Sequence, residues 1–137
     1  MKIIIDTCIW SLALRRNEPQ NNPYVIELQE LIKEIRVQLI GSIRQELLCG
    51  IKSKKQFNLL KTHLRAYDDL NLEKQDYELA AEYFNTARQK GIQGSNTDFL
   101  ICAISTRHNM PILTTDKDFV NFQAVFPVKL HNPRILH

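Results

Sequence analysis

The sequence predicts an α/β fold: a three-layer sandwich in which a central, mostly parallel sheet carries helices on both faces, as one domain over residues 1–137. Three observations predict it. Short runs rich in β-branched residues, such as 3–5 and 112–114, have the length and composition of buried strands. Between them lie segments whose apolar residues recur at helical spacing. The two patterns alternate along the chain, and strand–helix–strand units place neighbouring strands parallel.

The elements follow in order. Residues 2–5 (KIII) read as the first strand. Thr7 to Leu14 then forms a helix with Asp6 or Thr7 near its N-terminus. Residues 15–23 hold two prolines and three asparagines and read as a loop. Val25, Leu28, Leu31, Ile32 and Ile35 give an amphipathic helix over 24–35, followed by a second strand at 37–40. Ile43, Leu47, Leu48 and Ile51 define a third helix, with Ser42 as its N-cap. Phe57, Leu60, Leu64 and Tyr67 mark a fourth. Leu79, Ala80, Tyr83, Phe84 and Ala87 mark a fifth, ending near Gly91. After a turn at 91–96 (GIQGSN), the helix TDFLICAISTRH is apolar on most sides and therefore buried. Pro111 breaks the chain, 112–114 form a strand, and 128–130 a last short one.

Composition excludes several classes. A chain of 137 residues buries about two-thirds of its unfolded surface and folds without disulfide or structural metal. No stretch of about 20 apolar residues is present to span a membrane. The N-terminal apolar run is cut by Asp6, too early for a signal peptide, so the expected location is the cytoplasm. Cys8, Cys49 and Cys102 are odd in number and lack CxxC spacing, which argues for reduced thiols rather than a disulfide framework or a zinc site. Charge is unevenly spread. Residues 44–65 carry six basic residues against Glu46, and 68–82 carry six acids against Lys74. A basic stretch beside a site for a polyanion attracts phosphates, although a solvated helix face has the same composition.

Four acids stand out, and three of them fall where function collects in such a fold. Ligand sites of open α/β sheets lie beyond the carboxyl ends of the strands. Asp6 ends the first strand and Asp116 follows the third. Asp98 opens the buried helix, and Glu46 borders the apolar face of the third helix. Each has a structural role available: Asp6 and Asp98 as helix-end groups, Asp116 as a turn former, Glu46 as an edge residue. Together they are different, because carboxylates brought close resist joint ionisation unless a cation joins them. An oxygen-only set without His or Cys suits Mg²⁺, with Mn²⁺ able to substitute, rather than zinc.

The motifs around these acids resemble those of the PIN-domain family. DTCIW after an apolar strand is similar to the family's opening motif. SIRQELLCGI resembles the second, with a Glu on a helix. NTDFLICAISTRHNMPILTTDKDF resembles the third and fourth, and this block is the most specific. The resemblance covers nearly the whole chain in order. It implies that Asp6, Glu46, Asp98 and Asp116 hold the metal, and that Asp118 assists through water or holds its loop. It implies that Thr7 and Thr114 orient carboxylates. Cys8 departs from the family pattern, where a small polar residue is common.

The resemblance further implies an Mg²⁺-dependent endoribonuclease in which a metal-activated water hydrolyses an RNA phosphodiester bond. The small size resembles VapC-type toxins of toxin–antitoxin pairs, which implies a homodimer and a cognate VapB-type antitoxin. A PIN-family nuclease acting in RNA processing or on DNA is the alternative. Setting the four acids aside leaves 11 acidic residues against 18 basic ones, a balance suited to meeting phosphates. Arg15, Arg16, Lys52, Lys54 and Lys55 are candidate substrate contacts. Trp10 and Tyr24 could stack on a base, with core packing the stronger expectation. A phosphotransfer domain with an aspartyl nucleophile fits poorly, because it needs an Asp where Cys8 stands.

Overall fold

The computed structural model describes residues 1–14 and 21–134. The expected α/β sandwich is the fold observed, with a parallel three-stranded sheet in the order β2-β1-β3. β1 (Ile3–Ile5) is central, flanked by β2 (Val37–Gln38) and β3 (Ile112–Leu113). Ile3 lies opposite Val37, Ile4 opposite Gln38 and Ile112, and Ile5 opposite Leu113. All three isoleucines are buried, as a strand covered on both faces requires.

Around the sheet run α1 (Thr7–Leu14), α2 (Pro23–Lys33), α3 (Gly41–Leu48), α4 (Lys54–Leu64), α5 (Lys74–Gln89), α6 (Asn96–His108) and α7 (Asp118–Val125). α6 is the helix predicted to be buried. Phe99 and four consecutive residues from Ile101 to Ile104 are almost fully enclosed. It ends at Asn109, which adopts the left-handed conformation at φ 53°. α5 packs along it. Asp76 on α5 is fully buried and accepts from Arg107 Nη1 at 2.7 Å, with His108 Nε2 at 3.0 Å from the same oxygen. Its other oxygen accepts the Glu73 amide at 2.7 Å, closing a capping box.

Several expectations need correction. Ser42 does not cap α3. Ile40 occupies that position in extended conformation, and Ser42 is already the second helical residue. The chain passes from the strand through Ile40 into the helix with no turn in which a serine could cap. α3 also stops at Leu48 rather than Ile51, because Cys49 is extended and Gly50 takes φ 85°. α2 ends before Ile35, whose φ of 56° is left-handed. The strand expected at 37–40 keeps regular pairing only over Val37–Gln38, with one further bridge from Leu39 to Asp69. The strand expected at 128–130 is reduced to a bridge between Ile112 and Leu130. Pro127 and Pro133 flank that stretch and withhold the amide donors a longer ladder needs. α7 was not anticipated. It is one short amphipathic helix that buries Phe119 and Phe122.

Beyond α7, the chain is tied to α2 by ionic contacts. Buried Glu27 accepts from His131 Nε2 at 2.6 Å and from Arg134 Nε at 3.0 Å. Burial alone would raise the Glu27 carboxyl; His131 and Arg134 more than offset it, holding the group below its ordinary value. No helix among the described residues is long and apolar enough to cross a membrane.

Candidate active site

The carboxyl end of β1 delivers Asp6 into a buried position, 7% exposed. Three elements hold its carboxylate. The Thr7 amide at the start of α1 donates to Oδ1 at 2.8 Å. The Thr114 hydroxyl, at the end of β3, donates to Oδ2 at 2.7 Å. The Cys8 thiol donates to the same oxygen at 3.6 Å. Burial raises the Asp6 carboxyl above its ordinary value, against the lowering effect of Thr114 and Thr7, and the Asp98 charge raises it further. Asp6 and Asp98 are therefore close enough to feel one another.

Glu46 joins through Thr7. Its Oε1 accepts the Thr7 hydroxyl at 2.8 Å across 39 residues of sequence. Asp98 stands in the first turn of α6. Its Oδ2 accepts the Ser95 amide at 3.0 Å, while Ser95 Oγ accepts the Asp98 amide at 3.1 Å. Asp116 lies past β3, where its amide donates to Thr114 Oγ1 at 3.0 Å and its Oδ1 accepts the Asp118 amide at 2.9 Å. One hydroxyl, that of Thr114, thus links Asp6 to the Asp116 turn. Asp118 itself is exposed as the first residue of α7, and its described bond is through the backbone.

Asp98 fills its cap role in the capping box with Ser95, and Asp116 closes its turn through the Asp118 amide, while Asp6 is held by the Thr7 amide and the Thr114 hydroxyl. Among the described residues, no three Asp, Glu, His or Cys side chains form a ready-made metal cage. Unscreened carboxylates repel, and each here is held by a hydrogen-bond donor instead. The donor chemistry still fits a hard divalent cation, with oxygen ligands only and a buried Asp6 whose charge is opposed by its neighbour Asp98.

A cavity of about 490 Å³ opens beside Glu46, lined by Thr7, Ser42, Gln45, Glu46, Cys49 and Thr97. Sequence reasoning placed Cys8 near Asp6 without a role in fixing the site, and missed Ser95. Cys8 is more than a passive thiol: its sulfur accepts the Thr115 hydroxyl at 3.3 Å and the Thr115 amide at 3.5 Å, fastening the turn that carries Asp116. Ser95 caps α6, and the S-x-x-D pattern in SNTD was a readable signal for it. Cys102 is buried, and burial together with the Asp98 and Asp6 charges pushes its thiol well above the ordinary range, so it stays protonated. All three cysteines are free.

Of the candidate substrate contacts, Lys52, Lys54 and Lys55 are exposed at and before the start of α4. Arg15 and Arg16 lie outside the described residues. Arg44, counted in the basic stretch, is engaged internally with the Leu64 and Tyr67 carbonyls and Asp69. Trp10 is buried, edge-on to Tyr67 at 5.3 Å, so it is a core residue. Tyr24 is half-buried against the core.

The PIN-domain family model matches residues 3–125, and the chain belongs to the PIN-domain family. No curated protein matches it. Among solved structures, it is similar to FitAcB from Neisseria gonorrhoeae, at 24% identity and TM-score 0.76, covering 98% of this chain and 99% of that one. It is similar to VapBC2 from Rickettsia felis, solved bound to a DNA fragment from its promoter, at 21% identity and TM-score 0.77, covering 96% and 98%. It is also similar to VapBC-5 from Mycobacterium tuberculosis, a member of the VapBC family of toxin–antitoxin systems, at 16% identity and TM-score 0.66, covering 94% and 96%.

Proposed function

We propose that this chain is a metal-dependent endoribonuclease and the toxin of a type II toxin–antitoxin pair, with a VapB-type antitoxin as its partner and a homodimer as its working form. The observation that carries the nuclease reading is the linkage of Asp6 to Glu46 through Thr7 and to the Asp116 turn through Thr114, with Asp98 close enough to raise Asp6. Membership of the PIN family and the overall likeness to FitAcB and VapBC chains support it.

In this reading Asp6, Glu46, Asp98 and Asp116 hold Mg²⁺, or Mn²⁺ in its place. The cation supplies Lewis-acid activation of the scissile phosphate and of the attacking water. Thr7 orients Glu46 and Thr114 orients Asp6, so ligand geometry is set before substrate arrives. Asp118 serves by fixing the Asp116 loop through its amide. Water adds to phosphorus in line and the bond to the 3′ oxygen breaks, leaving a 3′-hydroxyl and a 5′-phosphate. Lys52, Lys54 and Lys55 meet flanking phosphates. The antitoxin silences the site by bringing an Arg or a helix to the carboxylates.

The test is cleavage of single-stranded RNA with Mg²⁺ or Mn²⁺, compared with EDTA and with Asp6→Asn and Asp98→Asn. Asp98→Asn keeps an oxygen for the Ser95 amide, and Asp6→Asn keeps one for the Thr7 amide while giving up the acceptor facing Thr114, so both variants should fold while cutting falls by about a hundred- to a thousandfold. Full cleavage by both variants would sink the proposed site. Cutting of DNA in preference to RNA would move the assignment to the other nuclease reading.

A further inference from the structure

A second cavity, about 450 Å³ in volume, lies one residue from Asp98, between α5 and the first turn of α6. On α5 it is lined by Tyr77, Ala81, Phe84 and Asn85, which fall on one face at helical spacing. On α6 it is lined by Asn96 and Thr97. Thr97 also lines the cavity beside Glu46, so the two spaces meet at the residue preceding Asp98. Tyr77 is 57% exposed, unusual for a ring on an otherwise ordered helix. Phe84 is braced from below, edge-on to Phe99 at 5.5 Å.

The lining states what fits. Among the described residues the cavity's lining holds no charged side chain, the cation beside it being Arg88, whose guanidinium lies over the Phe84 ring at 5.4 Å. Its walls are aromatic and apolar, which suits a flat ring. Its polar groups are two exposed carboxamides and a threonine hydroxyl, and a carboxamide pairs a donor with an acceptor as the edge of a base does. A volume of this size lies within the range of small-molecule sites. Single-stranded RNA presents unstacked bases to such surfaces.

We propose that this cavity is a nucleobase pocket, receiving one base of the RNA strand beside the scissile phosphate and setting which nucleotide stands there. Tyr77 and Phe84 supply the stacking wall; Asn85 and Asn96 read the base edge. The inference rests on the nuclease reading above and adds to it a determinant of sequence preference.

The experiment maps cut sites on a randomised, unstructured RNA pool by sequencing the 5′ ends released by the intact protein and by Tyr77→Ala and Asn85→Ala. Both substitutions fall on an exposed helix face and touch none of the four acids, so melting temperature should persist and any remaining cutting should still be abolished by EDTA. The expected result is a nucleotide preference next to the cut in the intact protein that flattens about tenfold in each variant. An unchanged preference in both variants overturns the pocket while leaving the nuclease reading intact. A shift of either variant from dimer to monomer by light scattering, with preference unaltered, assigns this face to a second copy of the chain and also overturns it. If the intact protein makes no cut that EDTA and Asp98→Asn abolish, the nuclease reading itself falls, and the pocket with it.

Discussion

At the scale of single residues, the site depends on small hydroxyl groups as much as on the acids. Thr114 donates to Asp6 and accepts from the Asp116 amide. Thr114→Val keeps the shape and removes both bonds. We expect kcat to fall about 10- to 100-fold, with a raised Mg²⁺ requirement and little change in melting temperature. Unaltered metal dependence would show that Thr114 only closes the turn. The positions of Asp6, Asp98 and Asp116 in the fold were legible in the sequence, because strand ends and a helix start mark them without any knowledge of side-chain contacts, whereas Glu46 was singled out by its motif. The contacts were legible only through family resemblance, which pointed to Thr7 and Thr114 and noted Cys8 as a departure without giving it a role. The thiol's nearness to Asp6 is local, but its contact with Thr115 is a product of three-dimensional closure across 107 residues, and no local pattern announces it.

At the scale of elements, α5 and α6 are joined by the buried Asp76. Asp76→Ala removes a capping bond and strands Arg107 and His108 beside an empty position. It should destabilise the fold by about 3 kcal/mol in urea unfolding at pH 7. The pH dependence has a definite sign. Burial alone would raise Asp76, but the Glu73 amide, Arg107 and His108 hold it below its ordinary value of 3.8. A depressed carboxyl stabilises fully above that ordinary value and loses its contribution as pH falls through the folded value. The intact protein should therefore lose stability steeply below about pH 4, and Asp76→Asn should fall less steeply. Periodicity identified α6 because a nearly all-apolar helix has no competing reading. It failed for α7, whose burial rests on two phenylalanines, and it misplaced the cap of α3. The hydroxyl of Ser42 is buried with no partner, a position that a rule built on solvent-facing caps does not anticipate.

At the scale of the whole molecule, the charge pattern makes a separable prediction. Lys52, Lys54 and Lys55 are exposed and stand apart in sequence from every acid of the site. Replacing all three by Gln should weaken RNA binding at low salt and reduce the slope of log affinity against log salt by about 2. An unchanged slope, measured by anisotropy, would remove them from the interface. The sheet carries a different consequence. β1 is central, and one of its neighbours, β3, comes from far along the chain: Asp6 is bonded to Thr114 across 108 residues. A sheet of this order cannot close progressively during synthesis, since its middle strand is made first and one flanking strand near the end. A growing chain that has reached only residue 90 contains Asp6 and Glu46 but neither Asp98 nor Asp116. The proposed catalytic centre therefore cannot exist on a half-made polypeptide. Under the proposed assignment, a chain emerging from a ribosome is inert toward the RNA around it until Asp116 has cleared the exit and folded back, which gives the proposed antitoxin, translated beforehand, an interval in which to be waiting.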